Sequence, residues 1–127
     1  MNCYCGNSLE YALCCEPFIK GEASPPTAEA LMRSRFSAFC LKNMAYIKHT
    51  TDPQFQTQID WKANDSWAEK AEFIKLEILS AKEEGMKGLV EFKATFIQDG
   101  ETHVHHEVST FRKRQGLWFY REGKIRA

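Results

Sequence analysis

The sequence has no excess of charge of either sign: 17 Lys plus Arg stand against 17 Asp plus Glu. The net field that would draw a protein to a polyanion is missing, so nucleic acid is not an expected partner. The sequence also lacks any apolar run approaching the roughly 18 residues of a membrane span. Its start, Met1-Asn2-Cys3-Tyr4-Cys5, has neither the basic region nor the apolar stretch of a signal peptide. A cytoplasmic protein with no membrane span is therefore expected. There is no internal repeat, no phosphate-cradling glycine loop and no nucleophile elbow, so no catalytic residue is assigned and an enzyme is not the first expectation. Cysteine is nearly absent beyond residue 15: four of the five lie between Cys3 and Cys15, and Cys40 stands alone. That distribution excludes a disulfide framework spread over the fold.

What is present is ample core material, with nine Phe, three Trp and four Tyr in 127 residues, enough for one domain and a short appendage but not for two domains. Pro17 to Thr27 holds three prolines and a glycine and reads as a linker. Thr27 then stands as an N-cap before a helix over 28–42, with Leu31, Met32, Phe36, Phe39 and Cys40 at helical spacing. Met44 to His49 predicts a further short helix ended before Pro53, and Asp60 to Lys70 another. From Glu72 the texture changes to strands. Gly85 and Gly88 bracket a turn, and Leu89 to Ile97 alternates apolar and polar residues. Asp99-Gly100 is a two-residue hairpin signal, Thr102 to Lys113 a third strand, and Gln115-Gly116 a turn into a fourth, Leu117 to Arg121. Helices first and four consecutive antiparallel strands after them predict an α+β fold, the helices packed on one face of a curved sheet.

The clustered thiols follow the pattern Cys-x-Cys, eight residues, Cys-Cys. In a reducing compartment metal ligation is the leading use for four close thiols, and zinc takes four soft ligands in a tetrahedron. Cys3 and Cys5 would supply a knuckle with Gly6 at its turn. Asn7 would cap a short helix, Ser8 to Leu13, with Glu10 three residues on, delivering Cys14 and Cys15. Spacing alone leaves a second reading open, in which these are reduced, unligated cysteines.

Cys3-Tyr4-Cys5-Gly6-Asn7-Ser8 with Tyr11, Cys14 and Cys15 resembles the SEC-C motif, found at the end of the SecA translocation ATPase and in many bacterial proteins. The resemblance implies zinc on Cys3, Cys5, Cys14 and Cys15. The chain lacks the lysines common around Tyr11 in that motif, so the motif's partners do not carry over. Further on, Leu31-Met32-Arg33-Ser34-Arg35-Phe36-Ser37-Ala38-Phe39, His106-Glu107-x-Ser109-x-Phe111 and Gly116-Leu117-Trp118-Phe119-Tyr120 resemble the YchJ-like family of bacterial proteins. That resemblance spans nearly the whole chain and implies a nuclear transport factor 2-like (SnoaL-like) cone of helices over a curved sheet. The expected division is a zinc hook at 1–20 and a nuclear transport factor 2-like domain at 21–127. Many members carry a second SEC-C motif at the C-terminus, whereas this chain ends Lys124-Ile125-Arg126-Ala127, so one hook is expected. Members also tend to have Trp-His-Pro where this chain has Thr51-Asp52-Pro53.

On a helical wheel Arg35 falls inside the apolar stripe with Leu31 and Phe39 while Arg33 points away. A charge there needs a partner, and Glu107 is the candidate. Glu107 shares a strand face with His103, His105, Ser109 and Phe111. Two readings follow: Arg35, Glu107 and Ser109 form the polar base of a pocket walled by Phe111 and by Trp118 or Tyr120, or Arg35 and Glu107 are a buried structural pair. His105 with Glu107 could act as an acid/base pair, and His103, His105 and His106 raise a second metal site. Two functions compete. The expected one is a non-enzymatic adaptor that meets a protein partner through the hook, because structural zinc is the one strong chemical signal; the alternative is a small-molecule binder or enzyme using the pocket. An open cavity favours the second and a filled interior the first.

Overall fold

The computed structural model describes residues 2–126. A 3-10 turn, Tyr11–Leu13, precedes five helices: α1 (Glu16–Ile19), α2 (Ala28–Cys40), α3 (Met44–His49), α4 (Pro53–Gln56) and α5 (Trp61–Lys70). Four strands follow, β1 (Glu72–Glu84), β2 (Lys87–Gln98), β3 (Glu101–Arg114) and β4 (Leu117–Ile125), in one antiparallel sheet of order β1-β2-β3-β4. Side-chain caps start four of the five helices, α2 to α5. Thr27 accepts from the Ala30 N–H of α2, Asn43 from Tyr46 in α3, Asp52 from Gln54 in α4, and Asp60 from Ala63 in α5. Pro53 sits at the first position of α4, where its missing N–H costs nothing, so the segment that ends α3 also opens the next helix.

Asp99 and Gly100 both have positive φ, 53° and 78°, and so do Gln115 and Gly116, 51° and 82°. These are the two-residue turns that match strand twist. Along β2, Val90, Phe92, Ala94 and Phe96 are buried and alternate with more exposed neighbours, so one sheet face carries the core. Leu31, Met32 and Phe36 of α2 lie on that face. A second, smaller cluster joins Ala38, Tyr46 and Ile47 with Phe18, Phe39 and Trp61. Among the described residues no helix is long and apolar enough to cross a membrane.

Three local expectations are corrected. Residues 8–13 do not form a helix capped by Asn7; only the turn Tyr11–Leu13 is helical and its first position has no side-chain cap. Asn7 instead donates from Nδ2 to Cys14 Sγ at 3.7 Å, so its side chain serves the thiols. The expected linker is helical in its first part, because Pro17 at the start of α1 is compatible with a helical turn. Gly88 lies within β2 rather than closing a turn: a Cβ there would come within 2.7 Å of Ala28 Cβ, so its bareness lets the start of α2 sit down on the sheet.

Candidate functional site

The four N-terminal thiols converge. Cys3, Cys5, Cys14 and Cys15 place their sulfurs all within 4.8 Å of one another. Cys5 and Cys14 sulfurs are 3.7 Å apart and those of Cys14 and Cys15 are 3.9 Å apart. A tetrahedral site with metal–sulfur bonds of about 2.3 Å has sulfur–sulfur edges of about 3.8 Å, so the thiols fit a metal with little movement. Gly6 makes the turn after the first knuckle with φ of 87°, and a Cβ there would press on the Leu76 carbonyl of β1 at 3.2 Å. Cys3, Cys5 and Cys15 are buried and belong to the same core as Leu31, Phe36 and Leu76. Arg33, pointing away from the apolar stripe, ion-pairs with Glu29 at 2.9 Å and donates to the Cys5 carbonyl at 2.9 Å, tying the hook to α2.

As bare thiols Cys5, Cys14 and Cys15 do not ionise alike. A hydrogen bond from Cys15 holds Cys5 down to about 5, desolvation pushes Cys14 up to about 11, and the Cys15 thiol is driven upward chiefly by its hydrogen bond to Cys5. A metal ion held by these sulfurs would displace their remaining protons. Cys40 stands apart, its thiol raised to about 12 by burial, and it behaves as core rather than as a nucleophile.

The second site lies between α2, α5 and the concave sheet face, a cavity of about 360 Å³. Phe36, Phe92 and Phe96 line it, together with Trp61 and Trp67. The two indole N–H groups are tied away, Trp61 to the Gln56 carbonyl at 3.0 Å and Trp67 to Gln98 Oε1 at 3.2 Å. Their carbon surface is what remains for the cavity. Polar groups enter from Arg35, His105, Glu107, Asn64, Thr51 and Tyr120.

The direct Arg35–Glu107 pair is not formed: no carboxylate lies within 4 Å of Arg35 among the described residues. Each group has been claimed by neutral or closer partners. Arg35 Nη1 donates to the Ile47 carbonyl at 2.9 Å, Thr50 Oγ1 at 2.8 Å and Thr51 Oγ1 at 3.3 Å, and the guanidinium lies 4.2 Å over the Tyr120 ring. Glu107 Oε1 meets His105 Nε2 at 2.7 Å, and Oε2 accepts from Ser109 Oγ at 2.5 Å. Desolvation lowers Arg35 to about 10 and raises the Tyr120 phenol to about 12. The hydrogen bond to Glu107 raises His105 above the ordinary histidine value. Burial pushes Glu107 up, but His105, Ser109 and the Arg35 charge together outweigh it and leave the carboxyl below its ordinary value.

Ser109, Phe111 and Trp118 are placed differently from expectation. Ser109 is buried and reaches the cavity only through Glu107. Phe111 and Trp118 pack where Gly88 admits Ala28, beyond a register shift between Thr110 and Phe111, and so line the core and not the cavity. Of the expected aromatic walls, Tyr120 alone faces the cavity. His103 and His106 do not join His105; His106 turns to Glu91 at 2.7 Å, and among the described residues the four cysteines are the one group of three or more metal-ligating side chains that converges.

Sequence reasoning missed Gly123 and Asp52. A Cβ on Gly123 would overlap the Glu107 carboxylate, so this bare position of β4 is the space Glu107 occupies. An isolated glycine inside a strand is the signal that could have found it. Gly123→Ala is expected to push the carboxylate off His105, and a histidine NMR titration reads the result. His105 should titrate above an ordinary histidine in the native protein and near the ordinary value in the variant; an unchanged midpoint would refute the contact. The sign follows from the shifts. The raised His105 stabilises the fold fully below about pH 6.5 and loses this as pH climbs through its folded value. The lowered Glu107 stabilises above about pH 4.5 and loses this as pH falls through its folded value, so the pair contributes most in the window between.

Comparison with known proteins places this architecture. The family described as YchJ, middle NTF2-like domain, matches residues 27–123. A UPF0225 protein of Geobacter sulfurreducens is 37% identical over 95% of this chain and 77% of its own length. The chain belongs to the YchJ-like UPF0225 family. This YchJ-like chain is also similar to two solved structures. The solution structure of a SEC-C motif containing protein from Rhodopseudomonas palustris has a TM-score of 0.93 at 41% identity, covering 100% of both chains. The crystal structure of a SEC-C motif containing protein from Psychrobacter arcticus has a TM-score of 0.82 at 32% identity, covering 98% of this chain and 82% of the other. The nuclear transport factor 2-like cone and the N-terminal cysteine cluster expected from sequence are therefore both present in the YchJ-like chain.

Proposed function

We propose that this YchJ-like protein binds a small molecule in the cavity of its cone, and that the hook holds one structural zinc ion. The observation that carries the reading is the cavity itself: an unfilled space of about 360 Å³ in which aromatic walls meet Arg35, His105 and Glu107. Such a volume lies toward the small end of ligand sites, which run from about 300 to 1,000 Å³, and suits a molecule of one or two rings. Zinc is favoured over other metals by four thiolates in tetrahedral spacing. The hook, residues 1–20, and the cone, residues 21–127, are proposed as two units sharing one core, since three of the four ligand cysteines pack into the cone's interior.

The cavity reading is tested with indole as a neutral probe and amide NMR of the zinc-loaded protein. Indole should perturb signals of residues around Phe92, Ala94 and Phe96, and Ala94→Phe, which fills the space from β2, should abolish the perturbation while leaving the fold intact. Perturbation elsewhere, or its survival in Ala94→Phe, would overturn the assignment. A second reading, the adaptor, is favoured by the hook's outer face, where Tyr4, Leu9 and Leu13 are exposed, Leu13 by 70%. A protein partner would cover these side chains.

A further inference from the structure

The cavity holds an unanswered charge. Arg35 is 5% exposed and has only neutral hydrogen-bond partners, a carbonyl and two hydroxyls. Burying a cation without an anion is costly, and structures keep such an arrangement where something completes it. The three acceptors all converge on Nη1. Among the described residues Nε and Nη2 have no protein partner and are not sealed off, in a residue that lines the cavity. Nε and Nη2 form the flat edge of the guanidinium that takes a carboxylate through two parallel bonds.

Glu107, the one carboxylate lining the cavity, is not available to fill that edge. Both of its oxygens are engaged, by His105 and Ser109, and the carboxylate sits in the space left by the bare Gly123. Asn64 on α5 adds an independent sign: its Nδ2 is enclosed in the cavity wall and has no hydrogen-bond partner among the described residues. A buried amide donor left unpaired also asks for an acceptor from the ligand. Counting charges, Arg35 and a protonated His105 against Glu107 leave the site at plus one, which a single negative charge neutralises. A phosphate dianion would bring two charges towards the Glu107 carboxylate. The aromatic walls, in turn, ask for an apolar body.

From these observations, and resting on the cavity reading above, we propose that the ligand is a small aromatic or alicyclic monocarboxylate whose carboxylate lies on the Nε/Nη2 edge of Arg35 while its ring packs between the aromatic walls, with a further acceptor within reach of Asn64. The ligand's charge replaces the carboxylate partner that the fold withholds from Arg35.

The test compares indole-3-acetate with indole-3-acetamide, two probes of nearly the same shape that differ in charge, by amide NMR titration of the full-length, zinc-loaded protein at pH 6. Indole-3-acetate should bind at least about 10-fold more tightly, with perturbations around Arg35, Asn64 and Phe92. A charge-assisted pair of hydrogen bonds, at about 1.5–3 kcal/mol, corresponds to this order of preference. Arg35→Lys should shrink the preference because a point charge cannot make the paired bonds, and if that variant does not fold, the comparison on the native protein still decides. Equal affinity for both probes would overturn the monocarboxylate assignment and leave the cavity reading standing. Preferential binding that maps to Arg112–Arg114 instead of the cavity would overturn the placement on Arg35. No perturbation of cavity residues by either probe, or by indole, would overturn both.

Discussion

Stripping the proposed zinc from the hook, or replacing its proposed ligands in Cys14→Ser/Cys15→Ser, is expected to lower the melting temperature by about 15 °C or more. The hook is not an appendage whose loss the cone ignores. Cys3, Cys5 and Cys15 are buried against Leu31, Phe36 and Leu76, and the Cys3 sulfur lies 3.6 Å from Ser37 Oγ in the middle of α2. Without the metal, Cys5, Cys14 and Cys15, thiols of conflicting proton demand, must share this space, and the turn at Gly6 that leans on β1 loses its anchor. Structural zinc supplies about 10–16 kcal/mol of apparent binding energy in small zinc domains that fold around it. Here the cone has its own core, so a loss on the order of 4–5 kcal/mol is the scale to expect. At about 4 °C per kcal/mol this gives the stated shift. Metal analysis of protein purified reduced and without chelator should find about one zinc per chain, and a content below about 0.2, or a melting curve indifferent to chelation, would contradict the zinc assignment.

Asp52→Ala should cost about 3 kcal/mol, seen as a melting temperature lower by about 10 °C. This carboxylate is fully buried and joins three elements. Its Oδ1 accepts from the Gln54 N–H at the start of α4, its Oδ2 accepts from Arg114 Nε at 3.2 Å, and Arg121 Nε lies 3.8 Å from the same oxygen. Its backbone N–H donates to the Tyr120 carbonyl at 2.7 Å, and Tyr120 in return donates to Thr50. Removing the carboxylate leaves the Arg121 Nε, already enclosed, with no negative neighbour and uncaps α4. Arg114 is partly exposed and water will screen it, which keeps the figure at the low end of the range for broken buried pairs. Asp52→Asn keeps the cap but not the charge, so it should fall between Asp52→Ala and the native protein. A melting temperature for Asp52→Ala within about 2 °C of native would refute the bracing role.

The two sites were legible to different degrees, and the reason is sequence distance. The hook's four thiols lie within thirteen consecutive positions, so their spacing alone brings them together, whereas the local helix expected from Asn7 fails because Asn7 is drawn to a thiol. Periodicity places Arg35 in the buried stripe of α2, and alternation places His105, Glu107 and Ser109 on one strand face, as the structure has them. Those rules act within one element and hold there. The ion pair between Arg35 and Glu107 failed because it crossed elements: each group found its partners among residues that no single-element rule could rank. Phe111 and Trp118 lie outside the cavity for the same kind of reason: a register shift and the bare Gly88 put them under α2.

By itself the sequence determined the order of the longer helices and the strands, the Thr27 cap and two of the hairpin turns, and the clustering of the cysteines, because each depends on backbone preference or on contacts a few residues apart. Only the tertiary structure decided that the hook is part of the core, that the cone encloses a cavity instead of being filled, and that Arg35 faces it without a carboxylate. Those outcomes depend on how α2, α5 and the sheet settle against one another, and long-range packing sets that through the few positions, Gly88 and Gly123 among them, where a missing side chain makes room.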